Sequence, residues 1–377
     1  MTTHLVDATL FFSPTSGGVR RYLLAKHRWL NSRSRARHTL IVPGATDRGT
    51  VGGIIEFASP AIRSGYRCPL RLPQLRSLLT ELGPDLLEAE DPYQIAWQVA
   101  EVADALGVPT VAFCHSDLIG LFGHWFGGAG ATIAARYLRA LYARFDLVFA
   151  PSEVVAARLV EAGIEHVAVQ PLGVDAATFD PARADATLRT RLGLSEGTRL
   201  LVFAGRLAPE KNIPELIAMA ESLGAPYHLL IIGAREVARP SPCVTLWPYT
   251  GDAAAIAADL AACDVLVHAG RQETFGLVAL EAMACGLPVV AYEGGALAEL
   301  VDSSVGELAP AAGGPAALAA AVEGVWARDP AALGRAARAR VLASYTWDAT
   351  LTQQMRAYAP LIGQASLLHA QPGVATV

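Results

Sequence analysis

Short continuous apolar runs alternate along this chain with longer stretches whose apolar residues recur at helical spacing. Runs at residues 5–10, 39–43, 85–89, 109–115, 147–150 and 167–170 read as strands buried on both faces. Between them, 22–30, 75–82, 93–106, 131–144 and 153–162 predict helices, and Ser152 is placed to cap the last of these. Residues 171–181 carry Pro, Gly and Asp in the manner of a hinge. The rhythm then returns, with strands predicted at 200–204, 228–232, 244–246, 265–268 and 289–292. The accompanying helices are predicted at 213–223, 253–262 and 316–327. Strands alternating with helices imply an α/β fold with parallel sheets covered on both faces. At 377 residues the chain suits two domains. Two such units joined by a hinge are expected to face each other across a cleft at the carboxyl ends of their strands. No internal repeat stands out beyond this rhythm.

Composition narrows the classes. No run of about 18 uncharged apolar residues is evident, so no transmembrane helix is expected. The N-terminus lacks a basic segment followed by an apolar stretch, which leaves a cytoplasmic protein as the expectation. Five cysteines, odd in number and without a C-x-x-C pair, read as buried free thiols rather than a disulfide framework or zinc site. The net charge of −5 is unevenly spread. Residues 19–76 hold twelve basic side chains, including Arg20, Arg21, Lys26, Arg63, Arg71 and Arg76, against only Asp47 and Glu56. Such asymmetry suits an anionic lipid or a phosphorylated acceptor; solvated helix faces are the plainer reading. Few aromatics interleave with these arginines, so nucleic acid is not expected as a partner.

Candidate chemistry concentrates in three places. Glu273-Thr-Phe-Gly-Leu-Val-Ala-Leu-Glu281 sets two acids eight positions apart, the first on a loop at the mouth of a helix. Continued as a helix, that step would turn the second acid about 80° from the first, two turns further along. The helix N-terminus between them offers free N–H groups to a phosphate. Arg206 and Lys211 follow the strand at 200–204 and bring two cations to the edge of a sheet. Fixed cations there can stabilise charge developing on a leaving diphosphate. Gly17 and Gly18 open a helix, where absent side chains let amides approach a phosphate closely. No acids with metal-ligand spacing are apparent, and no metal or other cofactor is expected.

These three segments, Ser16-Gly17-Gly18-Val19, Phe203-Ala-Gly205-Arg206-Leu-Ala-Pro-Glu210-Lys211-Asn212 and the E-x7-E stretch, closely resemble the signatures of retaining glycosyltransferase family 4. They stand in the family's order and span both halves of the chain. The resemblance implies the GT-B fold, two Rossmann-like α/β/α domains facing a central cleft. The first would occupy 1–171 on the acceptor side and the second, binding the nucleotide sugar, 172–345. A C-terminal helix at about 346–363 would return to the first domain, leaving a tail at 364–377. The implied reaction moves a hexosyl group of mannose or glucose type from a UDP- or GDP-sugar to a lipid, saccharide or small-molecule acceptor. The basic N-terminal region would favour an anionic or lipid-linked acceptor and peripheral contact with the inner face of a membrane.

Residue roles follow from the same resemblance. His115 would hydrogen-bond the sugar's 6-hydroxyl and support positive charge at the anomeric carbon through its carbonyl. Arg206, Lys211 and Gly205 would meet the diphosphate, as would the loop at Gly17 and Gly18. Glu273 would contact sugar hydroxyls, Thr274, Phe275, Gly276 and Leu277 would offer backbone groups, and Glu281 would accept from the ribose. Trp247, Tyr249 and Thr250 are the candidates for reading the base, and Asp117 serves either acceptor positioning or loop capping. The mechanism implied is attack on the face the leaving group occupies, with the leaving phosphate taking the acceptor's proton. Other reactions hosted by the fold are sugar phosphorolysis and nucleotide-sugar epimerisation; a silent nucleotide-sugar-binding scaffold is the non-enzymatic alternative.

Overall fold

The structure, a computed structural model, describes residues 2–13, 17–62, 65–364 and 367–368. Ser16, Arg63 and most of the 364–377 tail lie outside the described residues. The chain divides into two compact units, Met1–Leu172 with Trp347–Val377, and Gly173–Thr346. The first runs β1 (His4–Ala8), α1 (Gly18–Arg33), β2 (Arg37–Gly44), β3 (Arg48–Val51), β4 (Ile54–Ala58), α2 (Leu72–Glu81), β5 (Leu86–Ala89), α3 (Gln94–Leu106), β6 (Thr110–Phe113), α4 (Leu118–Tyr142), β7 (Leu147–Ala150), α5 (Glu153–Glu161) and β8 (Val167–Val169). The second runs α6 (Leu188–Leu192), β9 (Arg199–Ala204), α7 (Ile213–Leu223), β10 (Tyr227–Ala234), β11 (Ala238–Ser241), β12 (Val244–Pro248), α8 (Ala253–Ala261), β13 (Val265–His268), α9 (Leu277–Ala284), β14 (Val289–Tyr292), α10 (Leu297–Leu300), β15 (Gly306–Ala309), α11 (Gly314–Ala327) and α12 (Pro330–Ser344). The last helix, α13 (Trp347–Leu361), packs in the first unit.

Each unit holds one sheet. The first is ordered β3-β4-β2-β1-β5-β6-β7-β8 and the second β11-β12-β10-β9-β13-β14-β15. Among the described strands, only the edge strands β3 and β11 run antiparallel. Parallel strands need crossover helices, and these cover both faces, which is why the strands read as unbroken apolar runs. In β1 and β5, Val6, Ala8, Leu87 and Ala89 join the core beneath α2–α5. Side chains alternate along a strand, so Asp7 and Glu88 point to the opposite face. There α1 brings Lys26, whose Nζ lies 2.7 Å from Asp7 Oδ2, 2.6 Å from Glu88 Oε2 and 3.2 Å from Glu90 Oε1. All four side chains are buried. The return helix joins the same cluster, since the Tyr358 hydroxyl donates to Glu88 and Gln354 Nε2 donates to Tyr22 at 2.8 Å.

Burial alone would strip these acids of charge. Against that penalty, Lys26 and His38 hold the Asp7 carboxyl well below the usual range. Burial pushes Glu90 up to about 8, an effect Lys26 opposes but does not overcome, and Glu88 is likewise raised. The ammonium of Lys26 therefore pairs chiefly with Asp7, while its other acid neighbours are held largely protonated.

Several expectations need correction. Lys26 is not part of a basic surface, and Arg71 and Arg76 are paired with Asp47 and Glu101. The exposed positive charge is smaller than the sequence suggests. The β3–β4 ribbon was missed because its glycines and charged residues interrupt the apolar pattern. The helix expected at 131–144 starts instead at Leu118, where the Asp117 side chain accepts from Gly120 N. Residues 118–135 contain no Asp, Glu, Lys or Arg, contrary to the expected absence of such a run. By length and composition alone this helix is long and apolar enough to cross a membrane. Gly127 breaks its helical path at φ 64°, and Trp125, Phe126 and Ile133 are exposed.

Removing the cation from the first unit leaves Asp7 charged and buried. Lys26→Ala is expected to cost about 3–5 kcal/mol in chemical denaturation; a loss within error would contradict the pairing. A second test uses pH. Unfolded Glu90 loses its proton near the ordinary 4.5, whereas folded Glu90 keeps it to about 8. Between these values the folded chain binds more protons, so raising pH favours unfolding. Stability of Glu90→Gln relative to wild type should therefore rise across that window. A pH-independent difference would refute the assignment.

Candidate active site

In the second unit, β9 and β13 lie side by side although β10–β12 intervene in sequence. At such a switch point the loops leave in opposite directions, and the carboxyl ends of the two strands receive ligands. The loop after β9 carries Gly205, Arg206 and Lys211, and the loop after β13 carries Glu273 through Gly276.

Backbone approach shapes the first loop. A Cβ at Gly233, the penultimate residue of β10, would lie 1.9 Å from the Gly205 carbonyl oxygen, so only glycine fits there. Arg206 is three-quarters exposed, with a loose contact to Glu210 at 3.5 Å. Pro209–Lys211 form one 3-10 turn, after which Asn212 caps α7 and donates through Nδ2 to Ala269 O at 2.9 Å. That bond ties the two loops together. Arg271 fixes the second loop to α7 by reaching Glu215 at 3.0 Å and 3.1 Å.

The result is a contact across 62 residues, in which Lys211 Nζ ion-pairs with Glu273 Oε1. Both are mostly buried, with side-chain exposures of 18% and 15%, yet each retains an accessible edge for a ligand. His268 Nε2 stands 3.2 Å from the same carboxylate oxygen, though not well aligned for a hydrogen bond. Burial works against the charge on Glu273, but His268 and Lys211 outweigh it and hold this carboxyl far below the ordinary range. The site thus presents a fixed anion beside a cation whose partner can be exchanged.

Glu281 is not two turns into a helix from Glu273. Helix α9 begins only at Leu277, after Gly276 at φ 93°, so Glu281 sits one turn in and is 6% exposed. The 80° rotation does not apply across the loop. That positive φ strains any side chain at Gly276, and its Cβ would also press on Leu297 Cδ2 at 2.4 Å, which favours glycine at this helix entrance. The Phe275 side chain is buried beside Tyr345, while Thr274 and Leu277 are half-buried. One face of Trp247 is covered by Arg191, 4.9 Å from the ring centroid, leaving Tyr249 and Thr250 as the exposed members of the proposed base-reading segment.

The first unit repeats the topology, with its switch point between β1 and β5. Gly17 is exposed ahead of α1, and a Cβ there would meet nothing within 4 Å; Gly18 is the helix's first residue. His115 follows β6, buried and stacked on Phe113 with centroids 4.1 Å apart. Its Nε2 lies 2.7 Å from Glu90 Oε2. Burial, with Lys26 adding to it, pushes His115 down to about 3, so the imidazole is neutral near pH 7. Asp117 caps α4 and pairs with Arg158, which accounts for it as a capping residue.

The sequence reading missed His268 and Glu90. Each ends or follows a buried strand and passed for core; the only signal was a titratable side chain within an apolar run. It also missed Asp7, Glu88 and Glu90 as a group whose oxygens lie within 4.8 Å of one another, spacing that suits a metal. The Lys26 ammonium contacts all three acids.

Comparison with known proteins agrees with this layout. The model described as Glycosyltransferase Family 4 matches residues 16–178, and that described as Glycosyl transferases group 1 matches 198–328. The GDP-mannose-dependent alpha-mannosyltransferase of Mycolicibacterium smegmatis is 33% identical over 79% of this chain and 80% of its own length. The GDP-mannose-dependent alpha-(1-6)-phosphatidylinositol dimannoside mannosyltransferase of Mycobacterium tuberculosis is 32% identical over 91% and 93%. Among solved structures, sucrose-phosphate synthase from Thermosynechococcus elongatus shares the fold with a TM-score of 0.74 at 21% identity, over 96% of this chain and 99% of that one. Anabaena HepE, solved with UDP-glucose, gives 0.75 at 19% identity over 95% and 99%. With both sheets, both switch points and relatives matched over most of their length in place, the chain belongs to glycosyltransferase family 4 and is a nucleotide-sugar-dependent transferase of the GT-B fold.

Proposed function

We propose that this enzyme is a retaining mannosyltransferase that uses GDP-mannose and glycosylates a hydroxyl of a lipid-linked polyol or mannoside. The observation that carries the reading is the Lys211–Glu273 pair at the switch point of the second unit. It offers one charge to a diphosphate and the other to sugar hydroxyls. The choice of donor and acceptor is supported by the relatives, named as GDP-mannose-dependent mannosyltransferases, one of them acting on phosphatidylinositol dimannoside.

In this reading Lys211 and Arg206 bind the diphosphate and stabilise the charge that grows on it as the anomeric C–O bond breaks. Glu273 accepts hydrogen bonds from mannose hydroxyls, and Glu281 from the ribose. Neutral His115 is assigned to a substrate hydroxyl. The acceptor oxygen bonds to the anomeric carbon on the face the diphosphate leaves. Its proton passes to the departing phosphate oxygen, giving the mannoside and GDP.

The test is a donor panel of GDP-mannose, UDP-glucose and ADP-glucose with a phosphatidylinositol mannoside as acceptor. GDP-mannose should be the productive donor and the new linkage should keep the donor's α configuration. Transfer from another donor alone, or an inverted product, would overturn the reading. Glu273→Gln and Lys211→Ala should each lower kcat/KM by about a hundredfold or more, with unchanged far-ultraviolet circular dichroism. Near-normal turnover in either would remove that residue from the site.

A further inference from the structure

Glu273 has two supports of different kinds. Lys211 retains an accessible edge and a flexible stem. His268 is fully buried, with its ring tilted against Phe203 at 5.6 Å between centroids. Its tautomer is fixed by the backbone. The Gly270 N–H donates to His268 Nδ1 at 3.0 Å, so Nδ1 carries a lone pair and the ring proton resides on Nε2. That nitrogen lies 3.2 Å from Glu273 Oε1 and has no hydrogen-bond partner among the described residues, so the carboxylate is the group it can turn to. The turn that sets this up has no room for variation, since a Cβ on Gly270 would lie 2.6 Å from His268 Cε1.

The two supports respond differently to a donor. A diphosphate carries more charge than a carboxylate and competes for the Lys211 ammonium. Once Lys211 turns to phosphate, Glu273 loses its cationic partner at the moment its orientation toward the sugar matters. His268 cannot follow the ligand, because it is sealed in the core and pinned through Nδ1. We propose that His268 is a positioning residue that keeps Glu273 aimed at the sugar while the donor's diphosphate draws Lys211 away. The inference rests on the reading of Glu273 as the sugar-contacting acid. It assigns His268 no contact with substrate.

The experiment compares GDP with GDP-mannose by calorimetry, and kcat with KM, for wild type, His268→Leu and His268→Gln. Leucine removes the donor; glutamine keeps an N–H near the position of Nε2. His268→Leu should weaken GDP-mannose binding and raise its KM by about ten- to a hundredfold, as expected if the 3.2 Å contact tightens into a hydrogen bond to the carboxylate once the donor is bound. Its affinity for GDP should stay close to wild type, and His268→Gln should recover most of the sugar-dependent binding. Equal weakening for both ligands, or no recovery with glutamine, would make His268 merely structural and overturn the proposal. Nitrogen-15 NMR of the wild-type ring gives a readout that does not depend on the variants folding. A ring with its proton on Nε2 and a lone pair on Nδ1 is expected, and a proton on Nδ1 would overturn the proposal. A wild type that binds no sugar nucleotide would instead overturn the donor reading, leaving the tautomer result intact.

Discussion

A carboxylate can be buried as an anion only if something nearby compensates its lost hydration. That constraint governs both units. In the second, Glu273 is kept ionised by Lys211 on one side and His268 on the other. In the first, Asp7 is kept ionised by Lys26, while Glu88 and Glu90, crowded into the same cluster, hold on to their protons. The positions are alike because parallel strands gather their carboxyl ends on one edge, and polar residues collect around the switch point. The histidine–carboxylate pairs are used in opposite senses. Glu273 faces outward with His268 behind it, whereas Glu90 lies behind His115.

In the proposed site this arrangement replaces a loose, solvated loop. Asn212, Arg271 and Gly276 fasten the two loops of the second unit to each other and to α7, α9 and α10. The groups proposed to meet the diphosphate, Lys211 and Arg206, keep exposure and flexible stems. Those that must stay put are buried. Rigid support behind a movable cation is what transition-state stabilisation of a leaving diphosphate requires.

Much of the fold was legible because buried parallel strands announce themselves as unbroken apolar runs. The strands at 147–150, 265–268 and 289–292, and the helix at 213–223, have the extents expected from the sequence. Legibility failed where the pattern was diluted: by glycine around 48–58, and by a glycine-rich apolar stretch at 118–130 with no helical period. In the site, Lys211 and Glu273 stood out through family motifs, and the structure brings them together across 62 residues. His268 and Glu90 did not stand out, because a histidine or acid inside an apolar run acquires its role only from a partner the fold supplies. The spacing of Glu273 and Glu281 misled for a related reason. The segment from Glu273 to Gly276 is loop, and helical spacing holds only from Leu277 onward.

The central claim is that a nucleotide sugar exchanges the partner of Lys211 while Glu273 stays in place. A crystal structure of the enzyme with GDP-mannose tests it most directly. The account predicts Lys211 Nζ within hydrogen-bonding distance of a phosphate oxygen, and Glu273 accepting from a mannose hydroxyl while still beside His268 Nε2. A bound donor whose diphosphate lies away from Lys211, with the Lys211–Glu273 pair intact, would contradict it.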